Sequence, residues 1–273
     1  MVDRAILSVI NQTYKDWELI IVDDSPDDYE YCAEVEACVK KYNDPRIIFI
    51  KNSKNIGACA SRNKAIMRGK GEYVIYLDDD DEYTKDCLER KLSGFTKKEV
   101  GLVYSDCYVI EEETGIKRRT NQQKEKGLVF DQLILSNFVY AFPMIRRECF
   151  EKCGMFDVKM PALQDYEMWL RIAKQYEFNY IEEPLAIVHL HKEERISSDP
   201  KKKIAGMLRL NSINDAYLMK HRYARHICLI HLVPHYIHDH KRITALILWL
   251  KAVILAPTDI EINLKHLWGF IRN

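Results

Sequence analysis

The sequence predicts an α/β protein: a sheet with helices on both faces over residues 1–200, followed by an all-helical tail over residues 201–273. Three observations carry this. Short β-rich runs alternate with helical patterns through the first part of the chain, the signature of an α/β sheet. Two of those runs end in clusters of aspartate, Asp23-Asp24 and Asp78-Asp79-Asp80-Asp81. After Pro200 the strand patterns stop, and Lys201-Lys202-Lys203 opens a stretch rich in His and aliphatic residues. A length of 273 residues suits one large domain with an appendage.

Taken in order, residues 3–13 read as a helix with Ala5, Ile6, Val9 and Ile10 on one face. WELIIV (17–22) is a buried strand, and a turn at Ser25-Pro26 leads to a helix over 28–42. RIIFIK (46–51) is a second strand, and Ala58–Arg68 is a helix stopped by Gly69-Lys70-Gly71. EYVIYL (72–77) is a third strand, and Val100–Tyr104 a fourth. The stretch 106–145 reads as hairpin-like and irregular. DYEMWLRIAKQ (165–175) is amphipathic at helical spacing, and Phe178–His191 is extended.

Composition narrows the function. Forty-one Lys+Arg balance forty-one Asp+Glu, so the chain lacks the electrostatic footprint that phosphate neutralisation demands, and no nucleic-acid partner is expected. At 47% hydrophobic and 30% charged it can build a core and a solvated surface. The eight cysteines are scattered with no CxxC pair, which argues for reduced thiols packed as small hydrophobes rather than a zinc site. Met1–Leu7 carries no charged-then-apolar leader, so no secretory signal is expected and the cytoplasm is the expected compartment. ALILWLKAVILA (245–256) is shorter than the roughly 18 residues of a membrane span and carries Lys251.

The acid clusters carry the chemistry. In open α/β sheets, ligands bind beyond the carboxyl ends of the strands, which is where both clusters fall. So many adjacent carboxylates repel one another unless a cation joins them. Hard oxygen ligands suit Mg²⁺ or Mn²⁺, which take substrate phosphates as further ligands. A solvated turn capping the next helix is the plainer alternative. A phosphatase of the D-x-D-x-[TV] type is excluded by Glu82, and a phosphorelay receiver by length and by the tail. A D-x-D holding a nucleoside-diphosphate sugar through a metal remains.

Particular runs then bear a resemblance. SVINQTYKDWELIIVDDSPDD (8–28), Asn55-Ile56-Gly57, Ala60-Ser61-Arg62-Asn63 and GKGEYVIYLDDDDEY (69–83) resemble family 2 glycosyltransferases, which adopt the GT-A fold. The match resumes at CFEKCGMFD (149–157) and LQDYEMWLRIA (163–173), in the family's order over about residues 5–195. The resemblance implies a GT-A, Rossmann-type mixed sheet and an inverting sugar transfer. It implies that Asp24 hydrogen-bonds the nucleotide base with Asp23 in support, that Arg62 sits near the base or phosphates, and that Asp79 lies within the donor site. Asp78 and Asp80 become the D-x-D, with Asp80 on the metal and Asp78 on metal, ribose or sugar, and His191 completing the metal site. The family's acidic pair is here Gln164-Asp165, with Asp165 the candidate general base at a helix start. The implied donor is a nucleotide sugar, foremost a UDP-sugar, with Mg²⁺ or Mn²⁺ as cofactor and a glycan or lipid-linked acceptor in cell-surface polysaccharide synthesis.

The sequence departs from the family in two ways. Nothing matches the family's first strand, which lies between the strands at 17–22 and 72–77, so a gap or altered pairing is expected there. Gln164 replaces an acid. Both features leave open a non-catalytic remnant that binds a nucleotide or a protein partner. His189 and His191 alternate on one face of a strand, before Ile196-Ser197-Ser198 and a charged stretch, 192–203, that reads as a lid. The tail histidines, from His221 to His240, read as helix-interface residues rather than a metal site. The apolar 245–256 segment either packs on the catalytic domain or lies on the inner face of a membrane.

Overall fold

The computed structural model describes all residues except 27–30, 122, 141, 192–198 and 273 in backbone terms, and additionally leaves out the side chains of residues 32, 268, 269, 271 and 272. The 192–203 segment read as a lid, with Ile196-Ser197-Ser198, therefore lies largely outside the described residues.

Apolar periodicity sets the first elements. Helix α1 (Val2–Ile10) buries Ala5, Ile6 and Val9 and ends three residues earlier than its pattern allows. Strand β1 (Leu19–Asp23) pairs in parallel with β2 (Ile47–Lys51) across α2 (Cys32–Lys40), and α3 (Ala58–Arg68) follows. Strand β3 (Tyr73–Val74) is two residues long, against the six expected over 72–77, and pairs antiparallel with a later strand. Next come β4 (Glu82–Tyr83), α4 (Cys87–Ser93), the long β5 (Val100–Glu111) and the exposed hairpin strand β6 (Lys117–Arg119). The hairpin is closed by Gly115 in the left-handed region (φ 67°), a conformation that suits glycine. The short α5 (Phe130–Leu133), β7 (Met144–Arg146), α6 (Arg147–Cys153), α7 (Gln164–Ala173) and β8 (Glu177–Leu190) complete this part.

Two sheets result. One is the β1-β2 pair; the other is mixed, ordered β3-β7-β5-β8-β4, with β6 on β5. No ladder joins β1 to β3 among the described residues, so the discontinuity expected between 17–22 and 72–77 is present. It also explains the shortness of β3: a strand with a neighbour on one edge is held there alone, and the run leaves the sheet once β7 ends. Side chains close what the ladder does not. Leu19 and Trp17 pack with Tyr73, Ile75 and Leu77 around Val9 and Phe142, and the Glu18 carboxylate accepts the Gly71 N–H at 2.8 Å. At the centre β5 and β8 run parallel, with residues 100–107 of β5 all buried, as a strand covered on both faces should be. Cys59, Cys87, Cys107 and Cys149 are buried thiols in this core.

The helical tail comprises α8 (Pro200–Ile213), α9 (Asp215–Leu218), α10 (Arg222–Ile230), α11 (Val233–His238), α12 (Arg242–Leu255) and α13 (Ile260–Arg272). Asp199 caps α8, accepting the Lys201 N–H at 2.8 Å, with Pro200 at its first position. By internal packing the chain forms two units: residues 1–133, 137–158 and 168–192, and residues 134–136, 159–167 and 193–273. In the second, His226 is fully buried with Nδ1 2.9 Å from the Ala252 carbonyl, an interface histidine as expected.

One buried amide joins α1 to the segment after the aspartate turn. Gln12 is 0% exposed; its Nε2 donates to the carbonyls of Ser8 (2.9 Å) and Thr84 (2.7 Å), and its Oε1 accepts the Leu88 N–H (2.9 Å). Truncation strands three buried backbone groups, each costly without a partner. Gln12→Ala is expected to lower unfolding stability by about 1–3 kcal/mol, read from urea denaturation, and Gln12→Glu to be no better because a carboxylate cannot donate.

Candidate active site

The first unit gathers Asp23, Asp24, Arg62, Asp78, Asp79, Asp80 and His191, and Asp165 lies in the second. Asp23 closes β1, buried, with Oδ1 accepting the Ser25 N–H (2.9 Å) and Oδ2 paired with Lys51 Nζ (3.0 Å). Burial alone would raise its pKa, but the Ser25 and Lys51 donors outweigh it and hold the carboxyl below the ordinary range. Asp24 is a clamp on the following loop. Its Oδ1 accepts from Ile56 N–H (2.9 Å) and Asn52 Nδ2 (2.8 Å), and its Oδ2 from Gly57 N–H (2.8 Å). Here too burial is overcome by the donors, which hold the carboxyl below the ordinary range. Gly57 enters α3 at φ 87°, which allows its N–H to turn toward Asp24. Both oxygens of Asp24 thus already serve this loop, a role its sequence position alone does not reveal.

That loop starts the helix bearing Arg62. Arg62 lies over the Tyr76 ring (4.9 Å to its centroid) and reaches Asp78 Oδ1 at 3.4 Å. Tyr76 is itself stacked on the buried Trp169 (centroids 6.2 Å apart, 9° between planes). An aromatic floor therefore fixes the guanidinium beside the first aspartate of the turn.

The four aspartates have separate fates. The Asp81 N–H donates to the Asp78 carbonyl (3.2 Å), which closes a turn. Asp78 and Asp79 are exposed and Asp80 is half-buried. Asp81 is only 4% exposed and accepts the His189 N–H at 2.8 Å. Burial, with Asp80 and Asp78 alongside, pushes its pKa up to about 7 against that N–H. The backbone of the turn is held as well, since Arg4 donates to the Asp80 carbonyl and pairs with Glu112 (3.3 Å).

His189 and His191 divide the work their alternation predicts. His189 is buried, its Nδ1 on Glu112 Oε1 and its Nε2 3.0 Å from Glu82 Oε1. The His189 interaction, first among its causes, holds the Glu112 carboxyl below the usual range. Two residues on, His191 places Nε2 3.9 Å from Asp80 Oδ2, and among the described residues that buried nitrogen has no hydrogen-bond partner. An orphaned imidazole nitrogen facing a carboxylate suits a divalent cation. Among the described residues no three His, Cys, Asp or Glu side chains converge as a cation cage. A partial protein ligand set is normal for Mg²⁺ or Mn²⁺, which keep waters and substrate phosphates.

Asp165 stands in the first turn of α7, half-buried, where a carboxylate suits the helix dipole. Leu163, just before the helix, sits in the left-handed region (φ 62°), unusual for a bulky residue, and turns the chain sharply into Gln164-Asp165. Arg4, Glu82 and Glu112, which hold the turn and His189, carry no site signal in the sequence, where His189 alone points to them. Its acid partners come from both neighbours of β8: Glu112 follows β5, whose Ile110 stands opposite His189, and Glu82 lies on β4 opposite Ile187, pairings no local pattern reveals.

A curled mixed sheet flanked by helices and followed by a helical tail is a GT-A glycosyltransferase architecture. The TarS 1–349 structure of S. aureus with UDP-GlcNAc shares the fold at TM-score 0.66 and 15% identity, over 87% of this chain and 69% of that one. The model of glycosyl transferase family 2 matches residues 1–154, and the chain belongs to that family. Among its relatives is the putative colanic acid biosynthesis glycosyl transferase WcaA of Escherichia coli (strain K12). It is 36% identical over 211 residues, 73% of this chain and 71% of WcaA. The UDP-Glc:alpha-D-GlcNAc-diphosphoundecaprenol beta-1,3-glucosyltransferase WfgD of Escherichia coli is 26% identical over 186 residues, 63% of this chain and 64% of WfgD. The chain is a glycosyltransferase whose homologues serve polysaccharide biosynthesis. No helix among the described residues is long and apolar enough to cross a membrane.

Proposed function

We propose that this protein is a metal-dependent, inverting transferase that moves a sugar from a nucleoside-diphosphate sugar, foremost a UDP-sugar, onto a glycan or lipid-linked acceptor. The observation that carries the reading is His191 Nε2, buried, without a hydrogen bond among the described residues, and facing Asp80 across 3.9 Å just past the end of β8. TarS, whose structure holds UDP-GlcNAc, and WfgD, a UDP-Glc:alpha-D-GlcNAc-diphosphoundecaprenol glucosyltransferase, support the donor and acceptor classes.

In this reading Asp80, Asp78 and His191 would hold Mg²⁺ or Mn²⁺. When bound, that cation supplies charge stabilisation to the departing diphosphate. Arg62, fixed over Tyr76, adds a second positive charge to the same oxygens. Asp23 and Asp24 shape the donor site through Lys51 and the 52–57 loop, so their contribution to nucleotide binding runs through that loop's backbone. Asp79, exposed in the turn, offers a carboxylate to donor hydroxyls. On the acceptor side Asp165 takes the proton of the attacking hydroxyl. The oxygen lone pair forms the new glycosidic bond at the anomeric carbon as the bond to the diphosphate breaks, and the electron pair leaves with that group. Inversion requires one base and no general acid, because a diphosphate departs without protonation.

The test is turnover and donor hydrolysis with a panel of nucleotide sugars plus Mn²⁺, comparing the natural chain with Asp80→Ala and Asp165→Ala. Activity with at least one donor that both variants lose is the expected result. Equal activity in all three proteins would remove the roles given to Asp80 and Asp165, and no activity in any of them would leave a non-catalytic nucleotide-binding remnant as the surviving reading.

A further inference from the structure

We infer that helix α12 is an interfacial docking helix for an anionic lipid bilayer. The inference stands on the second unit alone and does not depend on the transferase reading. Over Arg242–Leu255 every residue except Arg242, Thr244 and Lys251 is apolar, so the helix is apolar round most of its circumference. A helix of that kind in a soluble setting should be covered on all sides. One side is covered: Ala245, Leu248, Trp249 and Ala252 pack in a cluster with Ile230, Val233 and Ile237 from α10 and α11, and Trp249 Nε1 donates to the Asn263 carbonyl at 2.9 Å. The opposite side is open. Ile243, Leu246, Ile247, Leu250 and Ile254, stepping by three and four residues, are all exposed, Ile243 at 78% and Ile254 at 69%. The stripe runs the length of the helix, about 21 Å at the usual rise per residue. Ile260 and Leu264 of the adjoining α13 are exposed too. Isolated surface aliphatics need no explanation, whereas a contiguous row of them marks an interaction surface.

Charge selects the occupant. Between His240 and Thr258 there is no carboxylate, and of the cations Lys241 is paired with Asp239 (2.7 Å), which leaves Arg242 and Lys251 exposed on the helix. Lys251 follows Ile247 by four residues and precedes Ile254 by three, so it flanks the stripe, with Arg242 on the other flank. An apolar row edged by exposed cations lets the aliphatic chains enter the acyl boundary while Lys and Arg reach the headgroups. A second copy of the same face would instead set these cations against one another with no acid to pair them. The helix, at fourteen residues, is too short to span a bilayer, which needs about 20, so it lies along the surface.

The experiment is flotation of the full chain with vesicles of phosphatidylcholine containing about one quarter phosphatidylglycerol, against pure phosphatidylcholine vesicles. The expected result is binding to the anionic vesicles that falls with added salt, and weak binding to the neutral ones. Leu250→Ser with Ile254→Ser, and separately Arg242→Glu with Lys251→Glu, each lower that binding by about tenfold or more. All four positions are exposed, so circular dichroism and donor hydrolysis should be unchanged in both variants. Absence of binding by the natural chain, or variants that bind like it, would overturn the inference. So would a dimer seen by sedimentation that the serine pair dissolves, since the stripe would then belong to a second copy.

Discussion

Asp165→Asn is expected to lower kcat for sugar transfer by about a thousandfold while leaving the KM for the donor within a factor of about three. Asparagine keeps the shape of the side chain and cannot accept a proton, so the change tests proton removal and little else. General-base assistance is worth about 10²–10⁴ in rate. The exchange also spares the fold: Asp165 is half-buried in the first turn of α7, and the bend that sets it is made by the Leu163 backbone. Rates are read from nucleotide release in the presence of acceptor. Hydrolysis of donor by water, which uses no acceptor hydroxyl, should fall less. A variant keeping more than about a tenth of the natural rate would place the base elsewhere.

Asp80→Ala should cost about 10²–10³ in kcat/KM and abolish stimulation by Mn²⁺. The structure makes this a clean substitution. What the fold uses at position 80 is the backbone carbonyl, which accepts from Arg4, whereas the carboxylate is half-exposed and faces His191. Thermal stability without metal is therefore expected to stay unchanged. Mn²⁺ binding measured by electron paramagnetic resonance gives a readout independent of turnover, and chelation of the natural protein should reproduce the variant's loss. His191→Ala should weaken Mn²⁺ in the same assay, because its Nε2 is the orphaned atom facing that carboxylate. Unchanged Mn²⁺ affinity in Asp80→Ala would remove the metal assignment and leave the general-base assignment intact.

Much of this molecule is legible without coordinates. The strands at 19–23, 47–51 and 177–190, the helices at 58–68 and 164–173, and the helical tail all follow from apolar spacing and Gly or Pro punctuation. The shortness of β3 is a partial exception. EYVIYL reads as a six-residue strand, but a strand forms only where neighbouring backbone accepts it, and β7 supplies two residues of ladder. The predicted break beside it came from an absent motif, and the β1-β2 pair standing apart from the larger sheet is its structural form.

The candidate site divides along the same line. Residue types and spacing determined that aspartates follow both the WELIIV and EYVIYL runs, that a D-x-D precedes an acid-bearing helix start, and that His189 and His191 alternate. Those are facts of covalent neighbourhood and short-range period, which a chain states in its own order. The structure corrects the second strand end, because β3 stops at Val74 and leaves Asp78–Asp81 in a turn beyond it. Tertiary structure alone decided which aspartate turns inward to His189 and which faces His191, and that the loop at 52–57 takes both oxygens of Asp24. It also decided which side of α12, apolar nearly all round, is left open. Each of these is a choice of partner across long sequence separation, made by β-ladder register and helix packing. A pattern of residues can state that a side chain needs a partner, but the partner is chosen where distant segments meet.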